Sequence, residues 1–189
     1  MADDTTLTAQ LARWAKERPN HPAIHGKDES GAWTSYTWSE YYQAAREVAK
    51  GLIALGHEAE QCVAIVGSNR PEWVICQMGI TLARGIPAPS YPTNTLEQVG
   101  HILSNSEAQI AIADTKELLD RWREAAKAQS LELEKVVSMV DGAAGADDMS
   151  VTALRVLGRE QDDAELDARI AAINEDDVAV LIYTSGTTG

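Results

Sequence analysis

Basic residues are scarce in this chain of 189 residues. Sixteen Lys and Arg stand against 29 Asp and Glu, which gives a formal net charge of −13 and an isoelectric point of about 4.6. Proteins that bind nucleic acid non-specifically rely on Lys and Arg to neutralise phosphates. The balance therefore argues against nucleic acid as a partner. With 44% hydrophobic and 24% charged residues, the composition is otherwise that of a soluble globular protein.

The chain also lacks long apolar runs and contains only two cysteines. Residues 1–6 have neither a basic region nor an apolar core, so they do not predict a signal peptide. No apolar run approaches the length of a membrane span. Cys62 and Cys76 stand in apolar surroundings without metal-ligand spacing, and we expect both to be buried, reduced thiols with no mutual disulfide. This pattern is typical of a cytoplasmic protein.

Several nucleotide and nucleophile motifs are absent as well. There is no Gly-x-x-x-x-Gly-Lys-Ser/Thr sequence, no Gly-x-Gly-x-x-Gly fingerprint and no Gly-x-Ser-x-Gly elbow. These absences argue against a Walker-type nucleotide site, a dinucleotide-binding domain and an esterase. Among the histidines, only His21 and His25 have a helical ligand spacing. Pro22 lies between them and disfavours a helix, so no metal site is expected there.

What the chain does contain is a series of apolar runs that alternate with amphipathic stretches. Residues 62–66, 109–113 and 135–140 are apolar runs typical of strands. Apolar residues at helical spacing lie between them. This order predicts an α/β fold with a mostly parallel sheet flanked by helices. Residues 22–25 and 33–38, separated by a polar turn, predict a small N-terminal antiparallel hairpin before the sheet.

Residues that favour helix ends punctuate this pattern. Thr37 with Glu40 and Thr95 with Gln98 form capping-box patterns at helix starts. Two further helix starts are predicted by Asp114 with Glu117 and by Asn69, Pro71 and Glu72. Gly56 and Gly85 predict helix ends.

The last residues combine a strand pattern with a loop suited to an anion. Residues 178–182 have the length and β-branched content of a strand buried on both faces. Tyr183 and six small residues follow. These six, here called the glycine/hydroxyl loop, are Thr184, Ser185, Gly186, Thr187, Thr188 and Gly189. Glycine lets the backbone approach an anion closely, and amides and hydroxyls can donate to several phosphate oxygens. The loop therefore predicts a polyphosphate site, with a plain linker turn as the alternative.

Three segments carry a resemblance to a known family. Tyr-Thr-Ser-Gly-Thr-Thr-Gly at residues 183–189 resembles the phosphate loop of the AMP-forming adenylating enzymes, which include acyl-CoA synthetases, adenylation domains and luciferases. Gly-Ser-Asn-Arg-Pro-Glu-Trp at 67–73 and Ser-Tyr-Pro-Thr-Asn-Thr-Leu-Glu-Gln at 90–98 resemble the long-chain fatty acyl-CoA synthetase branch. The resemblance covers roughly residues 5 to 189. In that family the loop usually continues into Pro-Lys-Gly, which this chain does not contain.

The resemblance implies a function for the parent protein. Such an enzyme joins a fatty acid to ATP, releases pyrophosphate, and passes the acyl group from the acyl-adenylate to coenzyme A. It implies ATP, Mg²⁺ and coenzyme A as cofactors and co-substrates. Residues Thr184 to Gly189 would hold the β- and γ-phosphates of ATP. The adenine, ribose and C-terminal lysine motifs of the family are not found in this chain, so no catalytic residue is named here.

The resemblance also implies what residues 1–189 represent. We expect them to form the N-terminal part of the large AMP-binding domain, cut within the phosphate loop. The polypeptide alone is expected to be inactive, to hold no cofactor tightly and to form homo-oligomers. Peripheral membrane contact of the parent is left open.

Other interpretations stay open at this point. The parent enzyme could be another AMP-forming ligase that acts on an aryl, short-chain or amino acid. Alternatively, the chain is a non-catalytic module that only self-associates. The segments at 69–73 and 91–95 could contact a ligand, because the first follows a buried strand at a helix start. Helix capping and turn chemistry also explain both segments without a ligand, and Arg70 is then expected to form an ion pair within the domain.

Overall fold

Short apolar strands alternate with helices along most of the chain. The computed structural model describes residues 5–27, 30–143, 145 and 148–184. The described helices are α1 (Leu7–Glu17), α2 (Trp38–Ala54), α3 (Pro71–Leu82), α4 (Leu96–Ser106), α5 (Lys116–Ala128), α6 (Val151–Arg159) and α7 (Ala164–Ala172). The described strands are β1 (Pro22–Lys27), β2 (Trp33–Thr37), β3 (Cys62–Val66), β4 (Ile86–Pro89), β5 (Ile110–Ala113), β6 (Lys135–Ser138) and β7 (Met149–Ser150).

Within the described residues, five of these strands form one sheet in the order β4-β3-β5-β6-β7. All four neighbouring pairs in this sheet are parallel. Strand β4 lies at one edge of the described sheet. Pro87 and Pro89 fit that place because proline has no N–H for a ladder on a second side. The α/β fold class predicted from the alternation is confirmed.

The predicted hairpin is confirmed as well. Strands β1 and β2 pair antiparallel, with Lys27 opposite Trp33 at one end and Pro22 opposite Thr37 at the other. Helix α2 begins directly after β2. Thr37 caps it in the predicted capping box, in which its hydroxyl accepts from Glu40 N–H and the Glu40 carboxylate accepts from Thr37 N–H.

Helices cover both faces of the sheet and create two apolar cores. One core joins α1, α2, α3, α6 and α7 to the residues of β3, β5 and β6 that face them, among them Ile65 and Ile112. The other core lies under α4 and α5, where Trp122 is almost fully buried. Alternate strand residues point to opposite faces of a sheet, so the continuous apolar runs supply both cores at once.

The interpreted start of α5 and the interpreted end of α3 differ from the structure. Thr115, rather than Asp114, caps α5, and its hydroxyl accepts from Leu118 N–H. The positive φ after α3 falls on Arg84 (φ 59°) rather than on Gly85. Gly85 is needed for space, because a Cβ there would lie 2.2 Å from Nε2 of His57. By contrast, Gly56 takes the left-handed conformation that a helix stop predicts (φ 94°).

The sequence also left some local features unpredicted. Strand β7 has only two residues, Met149 and Ser150, to which the sequence pattern assigned no element. It is held by parallel pairing to Val137 and Ser138 of β6.

Both cysteines are free thiols. Cys76 is fully buried, whereas Cys62, the first residue of β3, is only half-buried. Among the described helices, none is long and apolar enough to cross a membrane.

Candidate functional site

The segment that leads into the glycine/hydroxyl loop differs from its prediction. Residues 178–182 were expected to form a strand buried on both faces, but they form no assigned strand. Val178 is 54% exposed and Ile182 is 72% exposed. The segment lies beside β4, where Leu181 N–H donates to the Pro87 carbonyl at 3.0 Å. The prolines of β4 have no N–H to donate in return, so a full ladder cannot form there.

Tyr183 connects this segment to helix α4 through a side-chain hydrogen bond and a ring contact. Its hydroxyl donates to Oδ1 of Asn105 at 2.9 Å. Its ring meets the His101 ring edge-on, with centroids 6.2 Å apart, and packs on the core beneath α4 and α5. Burial raises the pKa of the Tyr183 hydroxyl, and the nearby Cys62 contributes in the same direction. The residue before the loop is therefore held at a defined place.

The predicted phosphate-binding residues are only partly visible. Thr184 is exposed, so its hydroxyl is accessible to a ligand. Ser185, Gly186, Thr187, Thr188 and Gly189 lie outside the described residues. Their predicted contact with phosphates therefore stays a prediction.

The segment at 67–73 lies where β3 ends and α3 begins. Arg70 is the N-cap residue of α3 and makes no side-chain cap, and Pro71 occupies the first turn. Asn69 is thus not the cap that the sequence suggested. Arg70 Nε donates to Oε2 of Glu72 at 2.8 Å, so this arginine forms an ion pair within the domain, as expected.

Asp114 was predicted to cap α5, but its side chain has a different role. It follows β5 and is only 4% exposed. Its Oδ2 accepts from Ser68 N–H at 2.8 Å and also from the Ser68 hydroxyl. A Cβ on Gly67 would lie 3.1 Å from the Asp114 carboxyl carbon. The carboxylate therefore ties the loop after β3 to the end of β5. A lone Asp at the carboxyl end of an apolar strand was the available signal.

The segment at 91–95 forms the predicted turn and cap. Thr95 caps α4 in a capping box with Gln98. Arg121 on α5 donates to the carbonyls of Pro92 and Asn94, at 2.7 and 3.2 Å. Tyr91 is 66% exposed. The backbone of the turn is thus held by hydrogen bonds from a side chain of the neighbouring helix α5.

These three turns lie at the carboxyl edge of one parallel sheet. The chain leaves β3 towards β4 and leaves β5 towards β6, in opposite directions, so the gap between β3 and β5 is a topological switch point. Open α/β sheets bind ligands at such points. The structure brings Ser68 and Asp114 together there. No hydrogen bond or ion pair between described residues joins Thr184 to either of them.

A cavity of about 660 Å³ lies elsewhere, and none of the predicted site residues lines it. Arg84 on its wall pairs with Asp177 through two hydrogen bonds, at 3.0 and 3.2 Å, and with Glu60 at 3.1 Å. The hydrogen bonds from Arg84 lower the pKa of the Asp177 carboxyl. These charges compensate one another.

The comparisons with known proteins agree with this architecture. A family model described as AMP-binding enzyme matches residues 11–189. The long-chain-fatty-acid–CoA ligase FadD15 of Mycobacterium tuberculosis is 32% identical over 189 residues, which is 100% of this chain and 30% of that protein. The long-chain-fatty-acid–CoA ligase ACSBG2 of Mus musculus is 31% identical over 177 residues, covering 89% of this chain and 26% of that protein.

Solved structures show the same fold. The Mycobacterium smegmatis MbtA apo structure superposes with a TM-score of 0.77 at 22% identity, covering 100% of this chain and 33% of that one. A benzoate CoA ligase from Burkholderia xenovorans LB400 gives a TM-score of 0.71 at 22% identity, over 93% of this chain and 32% of that one. The chain thus spans about a third of the length of the proteins that it resembles.

Proposed function

The chain belongs to the AMP-binding enzyme family, and we propose that its parent protein is an AMP-forming long-chain fatty acid–CoA ligase. The observation that carries this proposal is the similarity to FadD15, which is named a long-chain-fatty-acid–CoA ligase and is 32% identical over 189 residues. Residues 1–189 would form the N-terminal part of its large domain.

The proposed reaction has two steps. In the first, a carboxylate oxygen of the fatty acid attacks the α-phosphorus of ATP. The bond from that phosphorus to the β-phosphate oxygen breaks, and pyrophosphate leaves. In the second step, the thiol of coenzyme A loses its proton and its sulfur attacks the acyl carbonyl carbon. The bond from that carbon to the adenylate oxygen breaks, and AMP leaves with the oxygen of the former carboxylate. The products are acyl-CoA, AMP and pyrophosphate.

The glycine/hydroxyl loop is proposed to hold the β- and γ-phosphates. Thr184 and Thr187 would donate hydroxyl hydrogen bonds, and Gly186 and Gly189 would let the backbone amides approach the oxygens. Support comes from the exposed Thr184 and from the fastening of Tyr183 directly before it. A loop held at one end loses less conformational entropy when it closes on a ligand.

Mg²⁺ when bound would offset the charge of the polyphosphate during the attack on the α-phosphorus. The described residues bring together no group of three or more His, Cys, Asp or Glu side chains that could hold a metal ion. No ligand for Mg²⁺ is therefore assigned among them, and any such ligand is proposed to lie in other parts of the parent protein.

A cytoplasmic location is part of the same proposal. The free thiols of Cys62 and Cys76 support it, because reducing compartments keep such thiols unpaired.

The experiment that tests the proposal uses the full-length parent protein. ATP–pyrophosphate exchange is measured with a panel of long-chain, short-chain, aryl and amino acids, and acyl-CoA formation is followed with the best substrate. We expect exchange that depends on a long-chain fatty acid and CoA-dependent release of AMP. Exchange that responds only to an aryl or amino acid would replace the substrate class. Absence of exchange with every acid would overturn the enzyme proposal itself.

A further inference from the structure

We propose that one edge of residues 178–184 is a docking surface for an extended apolar segment from the rest of the parent protein. This edge, which faces away from β4, is here called the open edge. The inference rests on the proposed function in one respect. It takes the parent to be about as long as its relatives, among which this chain covers 30% of FadD15. No step of the proposed chemistry depends on the docking.

The opposite edge of this segment already has a neighbour. Leu181 N–H donates to the Pro87 carbonyl of β4 at 3.0 Å. From residue 181 to residue 184 the side chains are alternately half-buried and exposed. This two-residue period is typical of extended backbone, in which successive N–H groups point to opposite edges. Since the N–H of Leu181 points to β4, those of Val180 and Ile182 point away from it.

The open edge has no partner in the described part of the chain. No hydrogen bond between described residues involves the backbone of Val180 or Ile182. Natural proteins protect free sheet edges with charged residues, prolines or bulges. Residues 178–184 contain neither a charged residue nor a proline. The backbone groups of the open edge are therefore free to pair with another extended segment.

Apolar side chains of the same segment are uncovered as well. Val178 is 54% exposed and Ile182 is 72% exposed. They lie at alternate positions with Val180 between them, so the three β-branched side chains share one face of an extended chain. An apolar segment on the open edge would form cross-strand pairs with Val180 and Ile182 and remove apolar surface from water. The composition of the edge therefore favours an uncharged partner.

A segment of the same parent protein fits this surface better than a second copy does. When its linker can span the distance, such a segment is present at an effective concentration of about millimolar. A second copy of this chain carries a net charge of −13 and is repelled. In the 189-residue polypeptide alone, the open edge is left to a second copy.

The first test measures whether Ile182 is covered in the parent. Ile182→Cys is made in the full-length protein and in the 189-residue polypeptide, and both are treated with a thiol reagent at low protein concentration. Mass spectrometry of the labelled peptides separates this position from Cys62 and Cys76. We expect labelling to be at least about tenfold slower in the full-length protein, because a covered side chain reacts only when the structure opens locally.

Val156→Cys is the matched control. Val156 is a β-branched residue on α6 that is 44% exposed, and its labelling rate should differ by less than about twofold between the two proteins. Equal labelling rates of Ile182→Cys in the two proteins overturn the proposal. An equally strong slowing at both positions overturns it too, because the protection is then not specific to the open edge.

The second test uses the unsubstituted proteins and asks whether the cover is an extended segment. Amide hydrogen exchange at Val180 and Ile182 should be at least about a hundredfold slower in the full-length protein, because hydrogen-bonded sheet amides exchange only on opening. Slow labelling with fast amide exchange would overturn strand pairing. Protection that disappears on dilution would assign the edge to a second copy and overturn the proposal as well.

Neither readout involves catalysis, so the two proposals fail separately. A full-length protein that protects the open edge and adenylates no acid disproves the proposed function alone. One that adenylates a fatty acid and leaves the open edge unprotected disproves this inference alone.

Discussion

At the scale of single residues, His57 shows how burial without a partner controls ionisation. Its side chain is 3% exposed, and its Nε2 has no hydrogen-bond partner among the described residues. Gly85 packs against it, and Arg169 donates to its backbone carbonyl at 2.9 Å. Burial lowers the pKa of His57 to about 4, and the nearby positive charge of Arg169 acts in the same direction. The imidazole is therefore neutral in the folded chain at neutral pH.

This histidine predicts a loss of stability in mild acid. The unfolded chain takes up a proton at His57 near pH 6.5, whereas the folded chain does so only near pH 4. Lowering the pH between these values therefore favours the unfolded chain. Between pH 7 and pH 5 the expected loss in the free energy of unfolding is about 2 kcal/mol. His57→Leu should remove that loss, as urea unfolding at the two pH values will reveal.

The exposed His21 supplies the control. His21→Leu should keep the pH dependence of the unsubstituted protein. Lys50 lowers the pKa of the Asp163 carboxyl, and Arg84 lowers the pKa of the Asp177 carboxyl. Protonation of these two groups lowers the free energy of unfolding only in more acidic solution, below their ordinary pKa of 3.8. Equal losses in the unsubstituted protein and in His57→Leu would refute the assignment to His57.

The two thiols differ in burial, and this predicts different reactivity. Cys76 is fully buried, and burial raises its pKa to about 12; burial raises that of Cys62 as well. The thiolate is the reactive form. We expect a thiol reagent at neutral pH to label neither residue rapidly in the native protein, and Cys62 to react before Cys76. Mass spectrometry of timed samples measures this order, and rapid labelling of Cys76 would contradict it. Full labelling of both after denaturation is the control.

The hydroxyl residues of the glycine/hydroxyl loop give a prediction for the parent enzyme. Thr184→Ala or Thr187→Ala should raise the KM for ATP about tenfold or more, because a hydrogen bond to a charged group contributes about 1.5–3 kcal/mol. Fatty acid binding alone should change little. Thr34→Ala, at an exposed position of the hairpin, is the control for steady-state kinetics. Unaltered ATP kinetics in both loop variants would rule out the phosphate role.

At the scale of elements, helices α2 and α6 approach each other closely through two glycines. A Cβ on Gly158 would lie 1.9 Å from the carbonyl oxygen of Glu47, and one on Gly51 would lie 2.4 Å from that of Leu154. Beside this crossing the buried Glu47 carboxylate pairs with Arg155 at 2.8 Å. The charged pair and the backbone contact therefore depend on the same short distance between the helices.

This crossing predicts a steric effect of a single methyl group. Gly158→Ala should lower the free energy of unfolding by about 1–3 kcal/mol, because the added carbon meets backbone atoms that cannot rotate away. Helix propensity alone would give the opposite sign, since Ala favours helices over Gly. Gly142→Ala, where a Cβ would meet nothing within 4 Å, is the control, and denaturant unfolding measures both. A higher free energy of unfolding in Gly158→Ala would contradict this prediction, because it would show that α2 and α6 can move apart without loss of stability.

At the scale of the whole molecule, the 189-residue polypeptide exposes apolar side chains on one side. Leu7 and Val178 both line the cavity of about 660 Å³, and Ile182 is exposed on the same C-terminal segment as Val178. Beside them, β4 is the edge of the described sheet. Exposed apolar groups next to an open strand edge favour association. The net charge of −13 opposes it, because like-charged copies repel.

We therefore predict that this polypeptide self-associates and that salt strengthens the association. Added salt screens the repulsion and leaves apolar contacts intact. Light scattering at several concentrations, in low and in high salt, measures the mass. Ile182→Glu should weaken the association, whereas Val156→Glu, at an exposed apolar position on α6, should not. A clean monomer mass at high micromolar concentration in high salt would count decisively against the prediction.

The sequence by itself determined most of the elements of this protein and their order. Apolar runs and helical spacing gave the parallel sheet, and the capping residues Thr37 and Thr95 marked two helix starts correctly. These signals are local: each depends on residues within one or two turns of the same helix or within one strand. The phosphate site predicted at the glycine/hydroxyl loop also comes from contiguous residues, but it stays a prediction, because residues 185–189 lie outside the described part of the chain.

Only the tertiary structure decided which distant residues meet. Asp114 resembles a helix cap in the sequence, yet its carboxylate binds Ser68, 46 residues earlier. The Tyr183 hydroxyl likewise donates a hydrogen bond to Asn105, which lies 78 residues earlier in the sequence. Residues 178–182 have the pattern of a buried strand, but burial requires a partner, and the neighbouring β4 contributes prolines that cannot complete a ladder. A local pattern gives a segment its preference, whereas the neighbours that the fold brings to it decide whether that preference is met.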